Sequence, residues 1–178
     1  MNAHNSSPLV LELERLTLEQ ANERARRSRA GARSTLPVRV LAVTPLEAGE
    51  FELEVVGEAP DYRTAIAKGS ARVLARSRFD RVAALVVVCE ASAAPDTSHR
   101  PSEHPERREI ALSVAVTLEE HPVFRARAVE LGSLAEVTEC GDGVVAPDSP
   151  LTAQLERVAT HAETFRAMRK QLGADAPG

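Results

Sequence analysis

The chain has 178 residues, a formal net charge of −4 and a sequence pI of about 5.8. A chain of this length can bury a sizeable core, and we expect one domain over residues 1–178, with a polar N-terminal tail (1–8) and a frayed C-terminal tail (173–178). The acidic balance and an aromatic content of 3% argue against nucleic-acid binding, which uses a basic field and aromatic rings for base stacking.

The first predicted element is a helix that starts between residues 9 and 18. Residues 17–20 (Thr-Leu-Glu-Gln) match a capping box, and good helix formers follow. The stretch 24–33 is rich in arginine, which allows two interpretations. It is a patch for nucleic acid or another acidic partner, or it is a solvated helix end whose basic side chains oppose the negative end of the macrodipole.

A hairpin is predicted next, from a strand at residues 38–44 and a second strand at residues 51–55. Apolar and acidic residues alternate in the second strand, so we expect Phe51, Leu53 and Val55 to face inward. Residues 57–60 contain glycine and proline and are expected to end this strand.

Two further helices are predicted, over residues 61–78 and 150–172. Asp61 can cap the earlier helix, and Ser149 followed by Pro150 is a typical start for the later one. Glycine costs about 1 kcal/mol relative to alanine inside a helix, so Gly69 indicates a close contact with the sheet.

The apolar run 82–89 contains no charged residue and is rich in valine. It is too short to span a bilayer and predicts a central strand that is covered on both faces. A polar loop follows, and then an alternating strand at residues 109–118 and another at 123–131. The predicted fold class is α+β in two layers: a mostly antiparallel sheet of about five strands, packed with two to three helices.

The candidate site lies where the two central strands meet this loop. Antiparallel pairing through the loop would place Glu90 nearly opposite Glu109 or Ile110, and paired carboxylates are how many acid/base sites are built. The loop side chains expected to form a binding surface are His99, His104, Arg107 and Arg108. An alternative interpretation is that Glu90 forms an ion pair with Arg107 or Arg108 that fastens the loop.

No catalytic or metal-binding signature occurs in the sequence, so a binding role is favoured over an enzymatic one. The first hypothesis is a small cytoplasmic binding or interaction protein that uses residues 99–109, with a protein partner or a second copy of itself. The alternative is a metal- or carboxylate-dependent hydrolase centred on Glu90, His104 and Glu109. We expect no cofactor and no resident metal. We also expect no membrane contact, since the sequence shows neither a signal peptide nor a segment of transmembrane length.

Residues 88–91 (Val-Cys-Glu-Ala), the loop, and residues 101–109 (Pro-Ser-Glu-His-Pro-Glu-Arg-Arg-Glu) together resemble a group of small uncharacterised bacterial and phage-borne proteins. In that group a strand ends in Glu-Ala, and a His-Pro-x-Arg-x-Glu turn leads into the next strand. The resemblance covers about residues 61–118, and Ser92 stands where the group has an aromatic residue. It implies a fold and a place for a site but no reaction.

Overall fold

The computed structural model describes residues 8–31, 35–75, 81–94, 102–119, 121–131 and 149–174. In chain order the elements are α1 (Pro8–Arg29), β1 (Val38–Pro45), β2 (Phe51–Ala59), α2 (Tyr62–Leu74), β3 (Ala84–Ala93), β4 (Arg108–Thr117), β5 (Phe124–Glu130) and α3 (Pro150–Ala174). A short 3₁₀ helix, Glu47–Gly49, connects β1 to β2. Within the described ranges, every helix is too short or too polar to span a bilayer.

The five strands form one sheet in the order β2-β1-β3-β4-β5, and every neighbouring pair is antiparallel. The valine-rich run lies in the central strand β3, where Val86 and Val87 are completely buried on opposite faces. The predicted α+β class, the five antiparallel strands and the central position of this run are therefore confirmed.

Helices cover both faces of the sheet. On one face α1 packs against β3, β4 and β5, and on the other α2 packs against β1 and β2 while α3 contacts β4 and α2. The side chains of β3 alternate between the two resulting cores, with Val86 and Val88 on the α1 side and Leu85 and Val87 on the α2–α3 side. This is the two-sided burial that an uninterrupted apolar strand predicts.

The first half of α1 is anchored by apolar packing and a small hydroxyl cluster. Leu13 is fully buried, and its carbonyl oxygen accepts hydrogen bonds from Thr17 Oγ1 at 2.7 Å and from Ser113 Oγ at 2.8 Å. The two hydroxyl oxygens are 2.5 Å apart. Helix and sheet are thus joined at β4 by contacts that leave no polar atom of these side chains exposed to water.

Two glycines let α2 approach β1 and β2 closely. A Cβ at Gly57 would lie 2.3 Å from the carbonyl oxygen of Ala65, and a Cβ at Gly69 would lie 2.9 Å from Val40 Cγ1. The close contact predicted for Gly69 is confirmed. The strand ends within residues 57–60 as predicted, but at Ala59, because β2 continues through Gly57 and this glycine provides room for the helix.

A β-bulge in β2 changes which side chains face α1. Leu41 pairs with Val55 and Val40 pairs with Gly57, so Val56 is the extra residue and is buried in the α2-side core. Beyond the bulge the alternation of side chains between the two faces of the sheet is reversed. Bulges commonly redirect side chains in this way. The expectation that Val55 faces inward is wrong, because it is 43% exposed at the uncovered end of this face.

Capping interactions fix the starts of α2 and α3. Asp61 Oδ1 accepts a hydrogen bond from the Thr64 backbone N–H at 2.9 Å, and this bond holds the pKa of the Asp61 carboxyl below its usual value. Ser149 Oγ accepts from the Thr152 N–H at 3.1 Å. Both predicted caps are confirmed.

Candidate binding site

Glu90 lies at the end of β3 and is turned toward α1. Its Oε1 accepts a hydrogen bond from the Leu36 backbone N–H at 3.0 Å, and its Oε2 is 3.5 Å from Arg24 Nε. Only 9% of the side chain is exposed. Glu90 therefore ties β3 to α1 and to the segment that precedes β1, and its ion-pair partner is Arg24 rather than the predicted Arg107 or Arg108.

Glu109 and the two loop arginines form separate surface pairs. Ser92 Oγ donates to Glu109 Oε1 at 3.1 Å, and Arg107 Nε is 3.6 Å from the same oxygen. Arg108 pairs with Glu130 at 3.2 Å. In the β3–β4 ladder, which runs to the pair Ala93–Arg108, Ser92 stands opposite Glu109 and Glu90 stands opposite Ala111. The predicted register is therefore shifted, and the two carboxylates have different partners.

His104 is buried, with 5% exposure, inside the turn that leads into β4. Its Nδ1 accepts from the Glu106 N–H at 3.0 Å, and its carbonyl oxygen accepts from the Arg107 N–H at 3.1 Å. These bonds shape the turn. His99 lies outside the described residues, and in the described part of the chain no three His, Cys, Asp or Glu side chains are arranged to hold a metal ion.

The arginine-rich end of α1 is partly neutralised by acidic side chains. Glu23 lies 3.7 Å from Arg26 and 3.2 Å from Arg27, and Arg24 is paired with Glu90 as described above. Arg33, the last residue of the predicted patch, lies outside the described residues. Arg24, Arg26 and Arg27 thus face acids of this chain, which reduces the field available to a nucleic acid.

On the opposite face of the sheet, the end of β3 packs into the apolar core beneath α2 and α3. Cys89 is a free, buried thiol in the α2–α3 core, and burial raises its pKa to about 12. A thiol with such a pKa is protonated at neutral pH and is not a nucleophile.

A polar cleft that the sequence does not reveal lies between the second half of α1 and the adjoining ends of β1 and β2. Its volume is about 580 Å³. The wall that α1 contributes consists of Glu19, Gln20, Asn22, Glu23, Arg26 and Arg27. The sheet side consists of Leu36, Pro37, Arg39 and Glu58.

Gln20 is the most unusual side chain of this cleft. It is 2% exposed, and its Oε1 accepts a hydrogen bond from Arg39 NH2 at 3.1 Å, which fixes the orientation of the amide. Its Nε2 is buried and has no hydrogen-bond partner among the described residues. A buried N–H without an acceptor is costly and uncommon, and such groups call for a physical explanation.

Charge is distributed unevenly among the cleft residues. Glu19 pairs with Arg15, and Glu23 pairs with arginines of its own helix. Arg39 and Glu58 stand opposite each other in the β1–β2 register, on the face that α1 covers, yet within the described part of the chain neither forms an ion pair. Among the described residues, the cleft thus presents one cation and one anion that form no ion pair.

Sequence patterns alone do not predict this cleft. Gln20 is predicted as part of a capping box, whereas it lies in the middle of α1 and points into the fold. Glu58 falls in the stretch that was expected to leave the strand, and only the bulge brings it to the same face as Arg39. The one available signal was Arg39 itself, a charged residue between the apolar residues of β1.

Comparison with protein-family models, curated proteins and solved structures finds no match to this chain. The resemblance to small bacterial and phage-borne proteins remains a prediction.

Proposed function

We propose that this chain is a small binding protein and that the cleft between α1 and the β1–β2 ends holds a ligand that carries a carboxylate. The observation that supports this most directly is the buried Nε2 of Gln20, a donor without an acceptor beside the Arg39 guanidinium. A binding role agrees with the first hypothesis drawn from the sequence, although the site differs. A cytoplasmic location is part of the proposal and is supported by the free thiol of Cys89.

A bound oxyanion would lower the energetic cost of the buried Gln20 N–H. Leaving a buried N–H unpaired costs about 1–3 kcal/mol. A carboxylate in the cleft can accept from Arg39 with one oxygen and, once it displaces the atoms that cover Gln20 Nε2, from that N–H with the other. Hydrogen bonds to ionised groups are stronger than neutral ones. Because Gln20 Oε1 already orients the guanidinium, little side-chain ordering remains to be supplied on binding.

The test is an NMR titration of the ¹⁵N-labelled full chain with sodium acetate, following the side-chain NH₂ signals of Gln20. Gln20→Met assigns these signals by removing them. We expect a saturable downfield shift of the Gln20 amide protons with an affinity in the millimolar range, abolished in Arg39→Gln. Arg72→Gln on α2, the same charge change on the other face, is the control and keeps the shift.

Absence of a saturable Gln20 shift, or an equal shift in Arg39→Gln, would contradict the proposed binding site. Sodium chloride at matched ionic strength separates carboxylate binding from general screening of the cleft arginines.

A second proposal concerns the turn around His104. The buried imidazole holds the turn, while the side chains of Arg107 and Arg108 are 52% and 70% exposed, so a fixed backbone presents charged groups to a protein partner. A photo-crosslinker at Arg108 should capture a defined partner or a second copy of the chain, and the same probe at Arg72 should not. Among the described residues Glu90 and Glu109 have different partners, so the hydrolase alternative is not carried further.

A further inference from the structure

Glu58 gives the proposed carboxylate site a second, opposite charge. It is exposed at the rim of the cleft, and it stands opposite Arg39 across the β1–β2 ladder. Directly opposed cross-strand residues have Cβ atoms about 4.5–5.5 Å apart, a separation at which an Arg–Glu pair normally forms. Here Arg39 is instead hydrogen-bonded to Gln20. Lys68 Nζ donates to the Glu58 backbone carbonyl at 3.4 Å, and within the described part of the chain the Glu58 carboxylate itself forms no ion pair.

From this arrangement we propose that the ligand is a small zwitterion of the amino-acid class. Its carboxylate binds Arg39 and Gln20 Nε2, and its ammonium group faces the Glu58 carboxylate. This inference rests on the proposed function, since it adds a second contact to the same site.

The other acids of the cleft do not offer the same contact. Glu19 and Glu23 already face arginines of α1, so an ammonium group near them would compete with an existing pair. Leu36 and Pro37 supply an apolar wall between the charged groups, which suits the hydrocarbon part of an amino acid. The bulge at Val56 is what turns Glu58 toward this wall.

The experiment compares three probes of similar size in the same NMR titration: acetate, methylammonium and glycine. At low ionic strength we expect glycine to bind about three- to five-fold more tightly than acetate, the range of an exposed ion pair. Methylammonium alone should leave the Gln20 amide signals unchanged.

Glu58→Gln should bring glycine and acetate to equal affinity while acetate still shifts the Gln20 signals. Glu52→Gln is the matched control, because it removes the same charge from the same strand on the opposite face. Equal binding of glycine and acetate in the unmodified chain, or an unchanged ratio in Glu58→Gln, would overturn the zwitterion and leave the carboxylate site standing. Loss of the Gln20 shift with both glycine and acetate would overturn the proposed function itself.

Discussion

The two halves of α1 face the same sheet but form opposite kinds of interface. The first half buries Leu13 and Leu16 against an apolar core and satisfies its hydroxyl groups internally. The second half places Gln20 and Arg24 against Arg39 and Glu90, beside an open cleft. One helix therefore supplies stability at one end and, among the described residues, one buried unsatisfied donor at the other. We place the binding site at this second end.

The largest effect is expected from the apolar half. Leu13→Ala should lower the free energy of unfolding by about 3–4 kcal/mol, since it removes a fully buried side chain and leaves a cavity. Leu11→Ala is the matched control on the same helix. Leu11 is 56% exposed, so its loss should change stability by less than about 0.5 kcal/mol. Urea denaturation measures both, and equal losses would show that this half of α1 is not packed as described.

Glu90→Ala tests the link between the two halves of the interface. We expect a loss of about 2–3 kcal/mol, because the variant leaves the Leu36 N–H without its acceptor and removes the Arg24–Glu90 ion pair. Glu90→Gln, which retains an acceptor for Leu36, should lose less. Glu109→Ala, at an exposed carboxylate, serves as the reference. If Glu90→Ala lowers the free energy of unfolding no more than Glu109→Ala does, the contacts of Glu90 with Leu36 and Arg24 do not stabilise the fold.

Cys89, the neighbour of Glu90, lies on the opposite, apolar face of the same strand, and its titration tests how well that face is buried. Burial raises its pKa from 9.0 to about 12, so between these values the unfolded chain loses a proton that the folded chain keeps. Stability should be complete below pH 9 and then fall by about 1.4 kcal/mol per pH unit as the pH rises toward 12. Chemical denaturation over this pH range should show the slope in the unmodified chain. If Cys89→Ala has the same slope, another group is responsible.

The smallest change in the free energy of unfolding is expected for Gln20→Met, and it is a gain rather than a loss. Gln20→Met should raise the free energy of unfolding by up to about 1 kcal/mol, because it replaces a buried amide with an unpaired N–H by an apolar side chain of similar volume. The half-buried Arg39 guanidinium loses its acceptor in this variant but can turn to water. Binding of acetate, followed in this variant through the side-chain Nε–H signal of Arg39, should disappear. A gain in stability together with a loss of binding is typical of a residue kept for function. Destabilisation by more than about 1 kcal/mol would instead assign Gln20 a structural role.

The fold could be predicted from the sequence because periodicity and caps act locally. The apolar run of β3, the alternation in β4 and the caps at Asp61 and Ser149 each carry enough information to place an element. The candidate site could not be predicted, because it depends on register. Glu90 meets Arg24 only after α1 has docked, and Glu58 reaches the cleft only because Val56 is an extra residue in its strand.

The bulge at Val56 also offers a criterion for sorting related sequences. A chain with the same number of residues between Phe51 and Gly57 that paired β1 and β2 without the bulge would place its counterpart of Glu58 opposite Val38, where it would face α2. Such a chain would keep the architecture and lack the acid of the cleft. The presence of the bulge, more than overall similarity, should therefore separate homologues that share the ligand from those that share only the scaffold.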